Sequence, residues 1–261
     1  SLRKALEIKP DLQQAQRGLI VLDVEEKNYP SAIATARSMQ KQSPKDSLGY
    51  VLEGDINAAQ KNWDAALAAY RSGLKQGTST ELALKLHSVL LASGKAAEAE
   101  KFSANWQKEN PKDAAFLLYL ADGAIARKDY AFADRTYQAV LKLQPNNAVA
   151  YNNLAWVTSK LNKDGAIAYV EKAMALAPNQ PAFMDTLATL LSEKNEHAKA
   201  LDLQKKVLSL QPEAALFRMN MAKIQIRAGD KAAAKLTLDE LSKLGDKFGG
   251  QAEVESLRKG L

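Results

Sequence analysis

The chain has 261 residues, 46% of them hydrophobic and 25% charged, so it is long enough to bury an extensive apolar core. Its 36 basic and 30 acidic side chains are interspersed and sum to only +6, with no block of five or more like charges, which argues against a nucleic-acid arm or a polybasic membrane tether. The lack of cysteine excludes disulfides and thiolate metal sites, and no apolar run approaches the roughly 18 residues that span a bilayer.

The first segment, Leu2 to Pro10, has the pattern of the helix ends Val140 to Pro145 and Val207 to Pro212. Residues 1–12 are therefore expected to be the tail of an upstream repeat. On this reading the chain is a fragment whose targeting signal, lipid anchor or further domain lies outside it. From there an alanine recurs every 33 or 34 residues, at Ala32, Ala66, Ala99, Ala133, Ala166, Ala200 and Ala234. A proline follows twelve residues later in five of the seven units, at Pro44, Pro111, Pro145, Pro178 and Pro212.

This period predicts seven units, 13–46, 47–79, 80–113, 114–147, 148–180, 181–214 and 215–246, stacked as one array without an internal domain boundary. Each unit is expected to hold two helices, A and B. The turns between them fall at Lys27-Asn28, Lys61-Asn62, Ser93-Gly94, Lys128-Asp129, Asn162-Lys163, Lys194-Asn195 and Gly229-Asp230. Asp46, Thr80, Asp113 and Asn147 are placed to cap A helices, and Pro30 and Pro181 suit first turns. In the third unit, His87 at a small-residue position and Trp106 at a Val or Ala position predict local repacking. The fifth unit has a turn one residue short. Residues 247–261 form an expected capping helix, with Val254 and Leu257 on its inner side.

Helical hairpins of this length, with a bulky-small-bulky pattern in A and alanine, aromatic, small residue and proline in B, resemble the tetratricopeptide repeat. Tyr50, Gly54, Asn57, Ala66, Tyr70 and Gly73 carry the pattern in the second unit. Leu117, Leu120, Ala121, Ala124, Ala133, Tyr137, Val140 and Pro145 carry it in the fourth. The resemblance implies an all-α, right-handed superhelical solenoid of about seven helix-turn-helix units with a C-terminal capping helix. A narrower resemblance rests on Tyr151 to Trp156 (YNNLAW), Ala177 to Ala188 (APNQPAFMDTLA) and the seventh B helix with the cap. These are similar to the C-terminal part of the repeat lipoproteins of bacterial exopolysaccharide and PEP-CTERM export systems. That likeness implies a cell-envelope or periplasmic scaffold, reaching a membrane only through an anchor upstream of this chain; a cytoplasmic location is the alternative.

The sequence offers little chemistry. His87 and His197 are isolated, the glycines are scattered, and acidic pairs such as Glu25-Glu26 sit on solvated helix surface. No catalytic residue, metal or cofactor is expected. The family resemblance places the second, fifth, ninth and twelfth A-helix residues on a concave face. That gives an expected partner groove of Leu48, Val51, Asp55, Leu84, Ser88, Leu91, Leu118, Asp122, Ile125, Asn152, Trp156, Asp185 and Thr189, with Val149, Ser159, Ser192, Met219, Lys223 and Ile226 continuing the face. The competing possibility is that several of these aliphatics pack between neighbouring A helices.

The family's clamp for C-terminal carboxylates is not matched. Asn153 fits its middle element, but Leu118 and Asp122 before it and Ala182 and Thr186 after it do not. The sixth A-helix positions, Gly18, Leu52, Lys85, Tyr119, Asn153, Thr186 and Asn220, form no asparagine ladder. The expected function is a non-enzymatic scaffold holding a protein or peptide by apolar anchors, of which Trp156 is the foremost. The expected setting is exopolysaccharide or PEP-CTERM envelope assembly or export. A cytosolic peptide-binding adaptor and the repeat arm of a larger enzyme are the alternatives. Asp55, Asp122 and Asp185 oppose RNA binding.

Overall fold

The computed structural model describes residues 2–261, the side chains of residues 3 and 5 aside. It is 78% helix with no strand among the described residues. The helices in chain order are α1 (Leu2–Ile8), α2 (Gln13–Glu25), α3 (Tyr29–Gln42), α4 (Leu48–Ala59), α5 (Trp63–Gln76), α6 (Thr80–Ala92), α7 (Ala96–Glu109) and α8 (Ala114–Ala126), then α9 (Tyr130–Leu143), α10 (Ala148–Lys160), α11 (Ala166–Leu176), α12 (Pro181–Glu193), α13 (His197–Leu210), α14 (Ala215–Arg227), α15 (Lys231–Ser242) and α16 (Gln251–Lys259). From α2 to α15 they alternate as the A and B arms of helical hairpins.

Every A helix ends in the same way. One residue enters the left-handed region, at Lys27, Lys61, Gly94, Lys128, Asn162, Asn195 and Gly229, with φ between 53° and 81°. The next backbone N–H then returns to a carbonyl of the last helical turn, as Asp129 does to Ala124 at 2.9 Å and Asp230 to Gln225 at 2.9 Å. This closure satisfies carbonyls the helix leaves unpaired and reverses the chain. At the other junctions, Asp113 Oδ1 accepts from the Phe116 N–H at 3.0 Å and Asn147 Oδ1 from that of Ala150 at 2.9 Å. The cap of α6 is Ser79, not Thr80: Ser79 Oγ accepts from the Leu82 N–H, while Thr80 Oγ1 donates to Asp113 at 2.8 Å.

The packing falls into a first unit, up to Tyr119, and a second, from Leu120 onward, each holding several repeats and meeting within α8 in the sequence. In the first unit, Ile20, Ala32, Ala36, Met39 and Ile56 form one core cluster, and Tyr50, Val51, Ala66, Leu67, Tyr70, Leu82, Leu86 and Leu90 another. Gly54 allows the close approach of α4 and α5, because a Cβ there would stand 2.0 Å from the Tyr70 ring. The third repeat is rebuilt around rings. Phe102, Trp106, Phe116 and Tyr119 lie with neighbouring centroids 5.9–6.3 Å apart. His87 is buried against Tyr119, its Nδ1 2.9 Å from the hydroxyl, and the Trp106 indole N–H donates to Asp113 at 2.9 Å.

In the second unit, Ala133, Ala155, Ala188, Ala200, Ala222 and Ala234 are wholly buried at helix contacts. The short turn of the fifth repeat is taken out of its B helix. The other B helices start three residues before their key alanine, whereas α11 starts at Ala166 itself, behind Gly165 at φ 95°. The missing turn leaves a hollow of about 490 Å³ lined by Asn162 to Ala168 and facing residues of α10 and α12. At the C-terminal end, Val254 is fully buried and Leu257 partly so against Met219, Ala222, Leu238 and Leu241, which closes the last hairpin.

Candidate partner-binding trough

The A helices of the second unit build a continuous trough from two adjoining hollows. Asp122, Ile125, Asn152, Asn153, Trp156 and Thr186 line one of about 360 Å³. Trp156 and Thr186 also belong to the other, of about 210 Å³, with Lys160, Asp185, Thr189, Glu193, Asn220, Lys223, Ile224 and Arg227. Six residues of the expected groove, Asp122, Ile125, Asn152, Trp156, Asp185 and Thr189, are thereby brought to one surface.

Trp156 is half-buried. Tyr130 meets it edge-on at 5.4 Å between centroids, and the Lys160 ammonium stands 5.3 Å from the ring centroid. Asp122 Oδ1 accepts from the Tyr137 hydroxyl and, at 3.2 Å, from Asn153 Nδ2. Burial first, then the bond to Asp122, holds the Tyr137 phenol well above its usual range, so it remains a neutral donor.

Asp185 lies deeper, accepting from Gln204 Nε2 at 2.6 Å and Asn220 Nδ2 at 2.8 Å. Burial raises its carboxyl pKa, and those two bonds with the charge of Lys223 pull it back. Glu193 accepts from Ser159 Oγ at 2.5 Å, while its other oxygen faces Lys160 at 3.5 Å and Arg227 at 3.8 Å. Lys223 is engaged by Glu253 at 2.7 Å.

The expected groove residues of the first unit are spread through other settings. Val51 is buried within the Leu67–Leu82 cluster, and Leu48 packs toward Ile20 and Met39. Leu84 and Leu118 are half-buried, whereas Ser88 and Leu91 are exposed. Asp55 accepts from the Tyr70 hydroxyl at 2.7 Å and from Lys85 Nζ at 2.7 Å. A hollow of about 630 Å³ does lie in this unit, but beside α3, with Tyr29, Ile33, Arg37 and Lys41. It includes none of the expected groove residues.

Sequence reasoning missed Asn153, Lys160, Thr186, Glu193, Asn220 and Arg227. They share a signal: each stands at the sixth or thirteenth A-helix position, one residue beyond the expected fifth and twelfth. Ser192 and Met219, at the twelfth and fifth positions, are correspondingly buried. The open face thus centres on position nine and takes in six and thirteen, while five and twelve stand at its margin, lining it at Asn152, Asp185 and Ile125 and buried at Ser192 and Met219.

The tetratricopeptide-repeat family model matches residues 136–166. Protein FlbA of Caulobacter vibrioides is 29% identical over 129 residues, covering 48% of this chain and 22% of FlbA. The small glutamine-rich tetratricopeptide repeat-containing protein 2 of Saccharomyces cerevisiae is 28% identical over 131 residues, covering 49% of this chain and 38% of that protein. The chain therefore spans well under half the length of these curated relatives. A crystal structure of a tetratricopeptide repeat protein from Parabacteroides merdae aligns with a TM-score of 0.64 at 18% identity, over 94% of this chain and 97% of that one. The class of molecule is an all-helical repeat array, and its fold is that of the tetratricopeptide repeat. Proteins of this kind generally bind peptide or protein partners and are generally not enzymes.

Proposed function

We propose that the chain is a non-enzymatic interaction scaffold that holds an extended peptide segment of its partner in the α8–α10–α12–α14 trough, with Trp156 as the apolar anchor. The carrying observation is the convergence of Ile125, Trp156, Thr186 and the polar groups around them on one continuous surface. A half-buried indole supplies large contact area at low rotamer cost, and its surroundings already exclude part of the water. The setting we propose is bacterial exopolysaccharide or PEP-CTERM envelope assembly or export. The phrases YNNLAW and APNQPAFMDTLA and the capped seventh hairpin support it.

Trp156→Ala tests the anchor. Partner binding is expected to fall by tenfold or more, about the loss of a hot-spot aromatic. Stability should fall by less than the ~3–5 kcal/mol of an emptied core site. Unchanged affinity in a folded variant would reject the assignment. The setting is tested by fractionating cells that express the native gene and asking whether its product co-purifies with exopolysaccharide export components; a product found wholly in the cytosol, apart from them, rejects it.

A further inference from the structure

The charges beside Trp156 are unevenly matched. Lys160, Lys223 and Arg227 enter the trough, and Lys223 is engaged by Glu253 at 2.7 Å. Among the described residues the one acid paired with Lys160 and Arg227 is Glu193, and they share a single carboxylate oxygen at the long distances of 3.5 and 3.8 Å. The second oxygen of Glu193 is taken by Ser159. The other acids of the trough are already bonded: Asp185 is buried and accepts from Gln204 and Asn220, and Asp122, at the far side of Trp156's other hollow, accepts from Tyr137 and Asn153. Two cations thus hold one loosely shared anion, and an Arg guanidinium has donors to spare for a further carboxylate.

The Lys160 ammonium stands 5.3 Å from the centroid of the Trp156 ring. An extended peptide advances about 6.6 Å in two residues, and its side chains at i and i+2 point the same way. We infer that the trough recognises an acidic peptide motif in which an apolar or aromatic side chain seats on Trp156 and an Asp or Glu two residues away pairs with Lys160 and Arg227. The inference rests on the trough as the binding site and names the chemistry of its occupant.

The test uses the 261-residue chain and labelled Gly/Ser peptides carrying Phe-Ser-Glu, Phe-Ser-Gln or Ala-Ser-Glu, titrated by fluorescence anisotropy. The Phe-Ser-Glu peptide is expected to bind about tenfold tighter than Phe-Ser-Gln, with the gap shrinking in about 0.5 M salt. Ala-Ser-Glu should bind more weakly than Phe-Ser-Glu. Arg227→Gln and Lys160→Gln should close the gap. Glu193→Gln, which removes the competing carboxylate, should tighten Phe-Ser-Glu binding, an effect that unfolding cannot imitate. Equal binding of the Glu and Gln peptides, both sensitive to Trp156→Ala, overturns the acidic motif and leaves the trough standing. No binding of any peptide by the folded chain overturns both.

Discussion

Asp55 in the first unit and Asp122 in the second occupy the same position of A helices two repeats apart, and each accepts from a buried tyrosine of its own B helix, Tyr70 or Tyr137. They differ in the residue supplied by the next A helix. Lys85 closes Asp55 with an ion pair at 2.7 Å, whereas Asn153 reaches Asp122 with a neutral amide at 3.2 Å. Beside the Asp122 joint, where the partner is an uncharged amide, stand Trp156 and an open hollow of about 360 Å³. The repeat framework thus fixes where an acid and a tyrosine meet, and one variable position decides whether the acid is neutralised within the array.

The same logic extends to Asp185, where Gln204 replaces the tyrosine and Asn220 supplies the amide. The acid has moved by one helical turn, from the ninth A-helix position to the fifth. It is accordingly more buried, and burial raises its pKa.

The largest expected effect tests the shared part of the comparison. Tyr70→Ala and Tyr137→Ala each empty a fully buried aromatic site and should cost ~3–5 kcal/mol. Denaturant midpoints of the two variants should fall together; a near-neutral result for either would show that the two joints are not equivalent. Ala66→Leu and Ala133→Leu, which overfill the same hairpins, should each cost ~1–3 kcal/mol by the same measurement.

Much of this framework was legible because it repeats. Alanine and the left-handed turn residue recur at nearly fixed spacing, and each has one physical job: close approach and chain reversal. The trough was legible in part. The expected residues Asp122, Ile125, Asn152, Trp156, Asp185 and Thr189 do line the trough, but the sixth and thirteenth positions, Asn153, Lys160, Thr186, Glu193, Asn220 and Arg227, line it with them and were not expected there. A count of positions cannot fix helix rotation to within one residue, because aliphatic residues such as Val51 and Met219 suit a groove and a core equally well. The shortened α11 shows the same limit. The deletion was visible in the alanine spacing, yet whether the turn or the helix would absorb it depended on Gly165 adopting φ 95°.

Next in size is a pH effect at Asp185. Its native carboxyl binds a proton more tightly than the unfolded chain does, mainly because it is buried. Its contribution to stability is therefore greatest below the ordinary value of 3.8, declines as pH rises through the elevated native pKa, and is level above it. Asp185→Asn keeps an acceptor for Gln204 but does not titrate. The stability of the variant relative to the parent should rise between about pH 3.5 and 7, other titrations being common to both. A difference that stays flat across that range would mean that burial does not control this carboxyl.

The smallest effect bears on the variable partner. Lys85 and Asp55 are 41% and 38% exposed, so their ion pair is screened and worth no more than ~1 kcal/mol. Lys85→Asn converts the joint of the first unit into the kind found at Asp122, retaining a donor while removing the charge. The expected loss is ~0–1 kcal/mol, detectable at low salt and absent at about 1 M, where the Debye length falls to about 3 Å. The Tyr70 hydroxyl should still donate to Asp55, since it approaches from α5 and does not depend on the lysine. A salt-independent loss well above 1 kcal/mol would show that Lys85 acts through the packing of its aliphatic stem, and that the two acid joints differ in more than charge.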